Sequence, residues 1–261
     1  MLRPRIIPCL LVHNGGLVKT VGFKDPKYVG DPINAVKIFN EKEADELVVL
    51  DIDASVKGVE PNYALIAKLA AECRMPLCYG GGITSAQQAS RSIDRGVEKV
   101  SVSAAAVARP GLLGEMATAI GRPSVVAVID VRKKSGLFSS GLEVCTHNAK
   151  RAHPQDPVEL ARQLEAAGAG EIVLNSVERD GAMKGYDLDL AQRLRSALSV
   201  PLTVLGGAGS LDDMGELIRR CGVVGAAAGS LFVFKGQYRA VLINYPTPQQ
   251  KDALFATALP R

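Results

Sequence analysis

The sequence is poor in the residues that build metal and disulfide centres. Three histidines, His13, His147 and His153, serve 261 residues, and five cysteines stand at 9, 73, 78, 145 and 221 with no CxxC pair. No HExxH motif and no His/Cys cluster at zinc spacing occurs, which argues against a metal site. An odd, scattered cysteine set fits a reducing cytoplasm better than a disulfide framework, so a cytoplasmic protein with no metal and no cofactor is expected. No GxSxG elbow is present, which leaves Ser-His-Asp hydrolysis without support. Charge is nearly balanced, 31 basic residues against 27 acidic for a net +4, and no basic run exceeds three residues. Nucleic acid is therefore a poor partner. No apolar stretch reaches the roughly 18–20 residues that cross a bilayer, so no membrane partner is expected either. The N-terminal IIPCLLV run is short and lacks the cleavage signature of a signal peptide.

What is present is ordinary globular material. Hydrophobic residues make up 47% and charged residues 22%, enough for a sizeable core. Short apolar runs recur at residues 5–11, 46–51, 76–79, 99–103, 125–130, 171–176, 201–205 and 223–228. Most end at or just before Gly, Asp or Ser, as fully buried parallel strands do. Helix signals lie between them. Asp31-Pro32 and Asp156-Pro157 each place a cap before a first-turn proline, and Ser85 and Ser210 open further segments. Helices are expected over 63–73, 85–96, 110–120, 156–168, 187–198 and 210–222, with an eighth at 237–244. Eight strand–helix pairs predict a single (β/α)8 TIM barrel over residues 1–261. An open doubly wound sheet is the alternative, but the dinucleotide fingerprint it would carry is absent.

An internal repeat divides the chain in two. Pro76-Leu-Cys-Tyr-Gly-Gly-Gly-Ile-Thr-Ser85 resembles Pro201-Leu-Thr-Val-Leu-Gly-Gly-Ala-Gly-Ser210, 125 residues later, and Glu46-Leu-Val-Val-Leu resembles Glu171-Ile-Val-Leu-Asn at the same offset. Two half-barrels of four βα units fit a closed barrel and suggest two similar ligand-facing sites. In such barrels function sits at the carboxyl ends of the strands. Gly206-Gly207 with Gly229-Ser230 would form a phosphate cup between strands seven and eight. Gly81 and Gly82, with Ser103, would form another half a barrel away. Two cups imply an elongated substrate with a phosphate at each end. Simple turn geometry is the other reading of a Gly-Gly pair.

Three carboxylates stand near strand ends. Asp130 ends strand five and is the candidate acid–base group. Asp51 ends strand two and either faces substrate or holds its own loop with Asp53. Asp180, next to Gly181, either caps a turn or orders the second phosphate site. The half-barrel counterpart of Asp130 falls on Leu11, which transfers no proton. At the opposite end, Arg5, Glu46, Lys99 and Glu171 stand at strand starts. Two charges of each sign there form either a salt-bridged plug or merely solvated strand ends. Residues 133–154 have the length and polarity of a lid over the barrel top, with His147 and His153 on its surface.

These residues, in combination, resemble the HisF family, the cyclase subunit of imidazole glycerol phosphate synthase. The likeness spans roughly residues 3–245. It includes Arg5-Ile-Ile-Pro-Cys-Leu10, Val29-Gly-Asp-Pro32, Ala44-Asp-Glu-Leu-Val-Val-Leu-Asp51, Tyr79-Gly-Gly-Gly-Ile83, Gly168-Ala-Gly-Glu-Ile172, Arg179-Asp-Gly181 and Gly206-Gly-Ala-Gly209. The resemblance implies a HisH-like glutaminase on the amino-terminal face, making ammonia. Arg5, Glu46, Lys99 and Glu171 would gate that ammonia into the barrel. At the top it would meet a bisphosphorylated ribotide, with Lys19 on the loop that covers substrate and Asp130 as one of two catalytic aspartates.

The second catalytic aspartate of the family is Leu11 here, and the family's Asn-Thr at the first phosphate site is Ser103-Ala104. A paralogous branch has this profile and is associated with glycosyl amidation in surface-polysaccharide pathways. Phe23-Lys-Asp-Pro-Lys-Tyr-Val-Gly-Asp-Pro-Ile33, Gly229-Ser-Leu-Phe-Val-Phe234 and Ala240-Val-Leu-Ile-Asn-Tyr-Pro246 resemble that branch. It implies a phosphorylated or nucleotide-linked substrate and a third, sugar-modifying protein. Two other roles stay open: a working histidine-pathway cyclase, and a catalytically inactive barrel that activates or scaffolds a glutaminase.

Overall fold

The computed structural model describes residues 3–134 and 141–259. Eight strands run parallel: β1 (Arg5–His13), β2 (Leu47–Asp51), β3 (Leu77–Gly80), β4 (Lys99–Val102), β5 (Val125–Lys133), β6 (Glu171–Ser176), β7 (Leu202–Leu205) and β8 (Gly225–Ala228). Each pairs with the next, and β8 returns to β1 at Arg5↔Gly225 through Pro8↔Ala228. The sheet is therefore a closed barrel with no free edge.

Alternation along the strands builds two cores. On β2, Leu47 and Val49 point outward and are fully buried against the helices, while Val48 and Leu50 point into the barrel. On β6, Ile172 and Leu174 point outward and Val173 inward. The outer core is continuous around the ring, with Ile6, Leu10, Tyr79, Val100, Ile129 and Val204 all in it. The inner core is small, centred on Cys78, Val126, Val128 and Val173. Small residues at β8 (Gly-Ala-Ala-Ala) leave space inside. Truncating a fully buried Leu174 to Ala in the outer core would cost about 2–5 kcal/mol.

Among the described residues, eight longer helices cover the barrel: α1 (Pro32–Glu41), α2 (Tyr63–Glu72), α3 (Ala86–Ile93), α4 (Leu112–Ile120), α5 (Pro157–Ala167), α6 (Leu188–Ala197), α7 (Leu211–Cys221) and α8 (Pro248–Ala258). Their starts follow from side-chain caps. Asp31 accepts from Asn34 N, Asp156 from Val158 N and Glu159 N, and Ser85 from Gln88 N. Ser210 and Asp213 form a capping box on α7. Ser85 and Ser210 thus do the same job at matching points of the two half-barrels.

The expected helix at 237–244 is not there. Phe234–Lys235 and Ala240–Val241 form a two-stranded hairpin instead, with Gly236 and Arg239 in left-handed backbone at φ 73° and 50°. The segment carries no apolar stripe to bury: Tyr238, Val241 and Leu242 are exposed. The last helix comes later, opened by a Thr247/Gln250 capping box with Pro248 in its first turn. Within 133–154, Leu142–Thr146 turns back antiparallel along β5 and Arg151–His153 pairs beside it, so this segment is a sheet extension rather than an irregular loop. Residues 135–140 of the expected lid lie outside the described residues. A second hairpin, Gly16–Val21 with Lys24–Gly30, continues β1 beyond the barrel rim. Among the described residues, no helix is long and apolar enough to cross a membrane.

Candidate active site

Both sheet extensions rise from the carboxyl-terminal end of the barrel and wall a cavity of about 150 Å³. Asp130, Lys19, Asp51, Gly81, Ser103, Asp180, Gly181, Gly206, Gly207, Gly229 and Ser230 all line it. The residues picked from the sequence at separations of up to 211 positions thus converge on one space. Gly82 is the exception. Its backbone turns away beneath residues 59–60, and an added Cβ would meet Val59 O at 2.5 Å rather than a ligand.

Asp130 sits at the cavity floor. Asn175 Nδ2 donates to its Oδ1 at 2.9 Å and Ser103 Oγ donates to Oδ2 at 3.3 Å. Burial pushes its carboxyl up to about 6, against the two hydrogen bonds that favour the charged form. A carboxyl poised there exchanges protons readily near neutral pH. Leu11 lines the same cavity from β1, so an apolar side chain occupies the position that corresponds to Asp130 in the half-barrel repeat.

Lys19 is buried at 6% exposure, with its Nζ donating to Cys9 O at 2.6 Å. Burial lowers its pKa. The amine lies against Gly229, where an added Cβ would come within 2.5 Å of Nζ. Lys19 therefore reaches the expected β7–β8 cup from the hairpin above it. Asp180 ties the same hairpin down: Thr20 Oγ1 donates to its Oδ2 at 2.6 Å and Phe23 N at 3.2 Å. Burial raises the Asp180 carboxyl. Gly181 follows with φ +65°, and a side chain there would strike Thr20 O at 2.1 Å. Asp51 binds its own loop, accepting from Asp53 N at 2.9 Å and Ala54 N at 3.2 Å, and burial raises it.

The amino-terminal end holds the four charges in a closed ring. Arg5 bonds Glu46 and, at 2.7 Å, Glu171; Lys99 Nζ bonds Glu46 at 2.8 Å and Glu171 at 2.9 Å. Thr203 Oγ1 adds a 2.6 Å bond to Glu171. Burial works against the charges of Arg5, Lys99 and Glu171, but their opposite-charge partners win: Arg5 and Lys99 are held more firmly protonated and Glu171 more firmly ionised. Above the ring is a chamber of about 20 Å³, lined by Ile7, Cys9, Val48, Cys78, Val126 and Ala227 among others, with Glu46 and Glu171 at its floor. That volume holds one molecule the size of water or ammonia. Cys9, Leu50, Ser101, Val128 and Leu205 line both this chamber and the upper cavity.

Several lining residues, Asn148 and Asn175 among them, were not singled out in the sequence, and His147 was placed only on a lid surface. Asn175 was findable, because Glu171, Val173 and Asn175 alternate inward on β6. His147 and Asn148 were not. They line the cavity from a turn in which His147, Asn148 and Ala149 have φ of 56°, 55° and 59°, with no glycine to announce it. Asn148 Nδ2 donates to Ile52 O at 2.9 Å across the rim. His147 is thus a wall residue rather than outer lid surface; burial, with Arg151 and His153 nearby, lowers its pKa. No metal-binding group of three or more His, Cys, Asp or Glu exists among the described residues.

Residues 5–239 match a family model described as histidine biosynthesis protein. A Vibrio vulnificus (strain YJ016) protein, provisionally named imidazole glycerol phosphate synthase subunit hisF3, is 56% identical over 251 residues, covering 96% of each chain. A Pseudomonas aeruginosa protein, provisionally named subunit hisF2 of the same synthase, is 52% identical over 97% of this chain and 99% of its own. A Streptomyces coelicolor protein named imidazole glycerol phosphate synthase subunit HisF is 39% identical over 89% of this chain and 91% of its own.

Proposed function

This chain belongs to the histidine biosynthesis protein family, and from that membership we propose that it is a HisF-like synthase subunit that takes in ammonia at its amino-terminal end and delivers it to a substrate in the carboxyl-terminal cavity. The observation that carries the reading is the ring of Arg5, Glu46, Lys99 and Glu171 beneath a chamber of about 20 Å³ that shares walls with the cavity. An apolar chamber admits neutral ammonia far more readily than ammonium, whose charge it cannot solvate. The paired ring keeps water and ions from following.

The ammonia source in this reading is a HisH-like glutaminase docked over the ring. The substrate is phosphorylated or nucleotide-linked, seated by the glycine turns at 206–207 and 229–230, by Lys19, and by Gly81 with Ser103 on the other side. Asp130 moves the proton. The finer reading is amidation of a surface-polysaccharide sugar, with a third, sugar-modifying protein. Leu11 supports it.

A second reading, a working histidine-pathway cyclase, is favoured by the 39% identity to the Streptomyces coelicolor HisF and by the bonded Asp130. Ammonium-dependent turnover of the ribotide by the wild-type chain separates the two, since a working cyclase acts with Leu11 in place; where the wild type shows little, Leu11→Asp tells what has been lost. If only the missing carboxyl blocks cyclisation, the variant gains about 10²–10⁴ in ammonium-dependent turnover of the ribotide; if the pocket has diverged, as proposed, it gains little. The proposal as a whole is tested by sedimentation with a HisH-like glutaminase from the same organism. A complex with raised glutamine hydrolysis is expected. No complex would remove the ammonia source and the reading with it.

A further inference from the structure

The ring's Arg5–Glu46 edge lacks the support that its other edges have. Arg5 and Glu46 stand on adjacent strands, yet the backbone pairing of β1 with β2 begins only at Cys9↔Val48, above the ring, while Arg5, Lys99 and Glu171 each have a strand partner at ring level in Gly225, Cys78 and Val126. Three side chains fill that gap. Ile6, the residue after Arg5, donates its N–H to Asp45 Oδ2 at 2.9 Å. Its carbonyl accepts from the Tyr245 hydroxyl at 2.7 Å, and the same hydroxyl accepts from Asp45 N at 3.1 Å. Asp45 is the residue before Glu46. From α8, Lys251 Nζ donates to Asp45 Oδ1 at 2.6 Å and to Glu43 O at 3.1 Å.

Lys251 is 5% exposed, an uncommon place for an amine on a surface helix. Nothing in the cavity chemistry uses it. Its bonds do one thing: they fix the Asp45 carboxylate, and through it the end of β1 against the end of β2. The Tyr245 ring is itself wedged, with centroids 6.4 Å from Phe39 and 5.3 Å from Phe232, and Lys251 Nζ lies 5.1 Å from its centre.

We propose that Asp45, Tyr245 and Lys251 form a latch by which the C-terminal helix positions Arg5 against Glu46 and so keeps the ring closed. The proposal rests on the gate reading above. All three are positioning residues; none touches ammonia or substrate. Releasing the latch leaves the two strand ends free to part by the width of one lost backbone contact, which opens the ring on this edge alone.

Cys78 reports on this directly, because it lines the chamber above the ring and is 2% exposed. The experiment follows Cys78 modification by methyl methanethiosulfonate in the intact chain, mapped by peptide mass spectrometry. Cys73 and Cys221, which sit at helix ends outside the barrel, serve as internal references. Tyr245→Phe removes one hydroxyl and keeps the packed ring; Lys251→Met removes the charge; Arg5→Ala opens the ring outright. Losing one charge-assisted bond should raise Cys78 labelling about tenfold in Lys251→Met, with a smaller rise in Tyr245→Phe and none at Cys73 or Cys221. Should Lys251→Met fail to fold, Tyr245→Phe decides. If Arg5→Ala speeds Cys78 labelling but both latch variants match the wild type, the latch is wrong and the gate stands. If the latch variants speed all three cysteines together, the role is general stability and the latch is equally wrong. If Arg5→Ala itself changes nothing, the ring does not close the chamber, and both proposals fall.

Discussion

Asn175 on β6 donates to Asp130 on β5 at 2.9 Å, and the two residues are register partners in the sheet. This pairing holds the carboxylate by a rigid neighbour rather than a loop, so the acid–base group keeps its place whether or not a ligand is bound. It also opposes the burial that raises the group.

Replacing Asn175 by Ala therefore pushes the Asp130 carboxyl above its present value of about 6. Any activity that needs Asp130 ionised shifts its acid limb to higher pH. A pH–rate profile, or carboxyl-labelled NMR titration, checks this. A limb that stays in place would separate Asp130 from the titration.

Asp130 also costs stability. Its folded pKa of about 6 lies above that of an unperturbed aspartate, so the folded chain binds the proton more tightly than the unfolded one. The cost is fully present above pH 6 and fades as pH falls through 6 toward 4. Asp130→Asn is expected to stabilise the fold by about 1–3 kcal/mol at pH 7.5 and by little at pH 4. Urea denaturation at the two pH values measures it.

The ring behaves in the opposite sense. Glu171 is buried, yet Arg5 and Lys99 hold its pKa below the usual glutamate value. Its stabilisation is present above the unfolded glutamate pKa and is lost as pH falls through the lower folded one. Glu171→Gln leaves two half-buried cations sharing one carboxylate, at an expected cost of up to about 3 kcal/mol near neutral pH. The variant should also lose part of the wild type's acid sensitivity. Thermal melts from pH 3 to 7 give both results.

Gly207 tests the phosphate cup. It has φ +114°, and a Cβ there would meet Gly185 O at 2.1 Å. Gly207→Ala is expected to cost about 1–3 kcal/mol of stability. Inorganic phosphate is expected to raise the melting temperature of the wild type and to leave that of Gly207→Ala unchanged. An equal phosphate shift in both proteins would move the anion site elsewhere.

Much of this was legible in the sequence because the signals are local and periodic. Leu47, Val49 and the inward Val48 and Leu50 alternate as a buried strand must, and Asp31, Ser85, Asp156 and Ser210 cap the helices that they announce. The ring was legible only as one of two readings, because charges of both signs at four strand starts fit solvated ends as well as a plug until the side-chain pairs are seen. The turn at His147–Ala149 was not, since its left-handed backbone is imposed by Arg132 Nη1 on Ala149 O and Asn148 on Ile52 O rather than by glycine. The segment at 237–244 misled because the barrel pattern called for an eighth helix after β8, whereas Tyr238, Val241 and Leu242 offer no face to bury and the last helix begins only at Pro248. Lys251 reads as a surface residue of α8 until Asp45, 206 positions away, is seen beside it.

The most direct measurement follows loss of the phosphoribosyl-formimino ribotide by the purified chain with ammonium as the nitrogen source. The account predicts turnover more than about 100-fold below an ordinary enzyme of this kind, because Leu11 supplies no proton. Turnover within that range would contradict it: Leu11 would then be tolerated, and the chain would be a working cyclase of histidine biosynthesis.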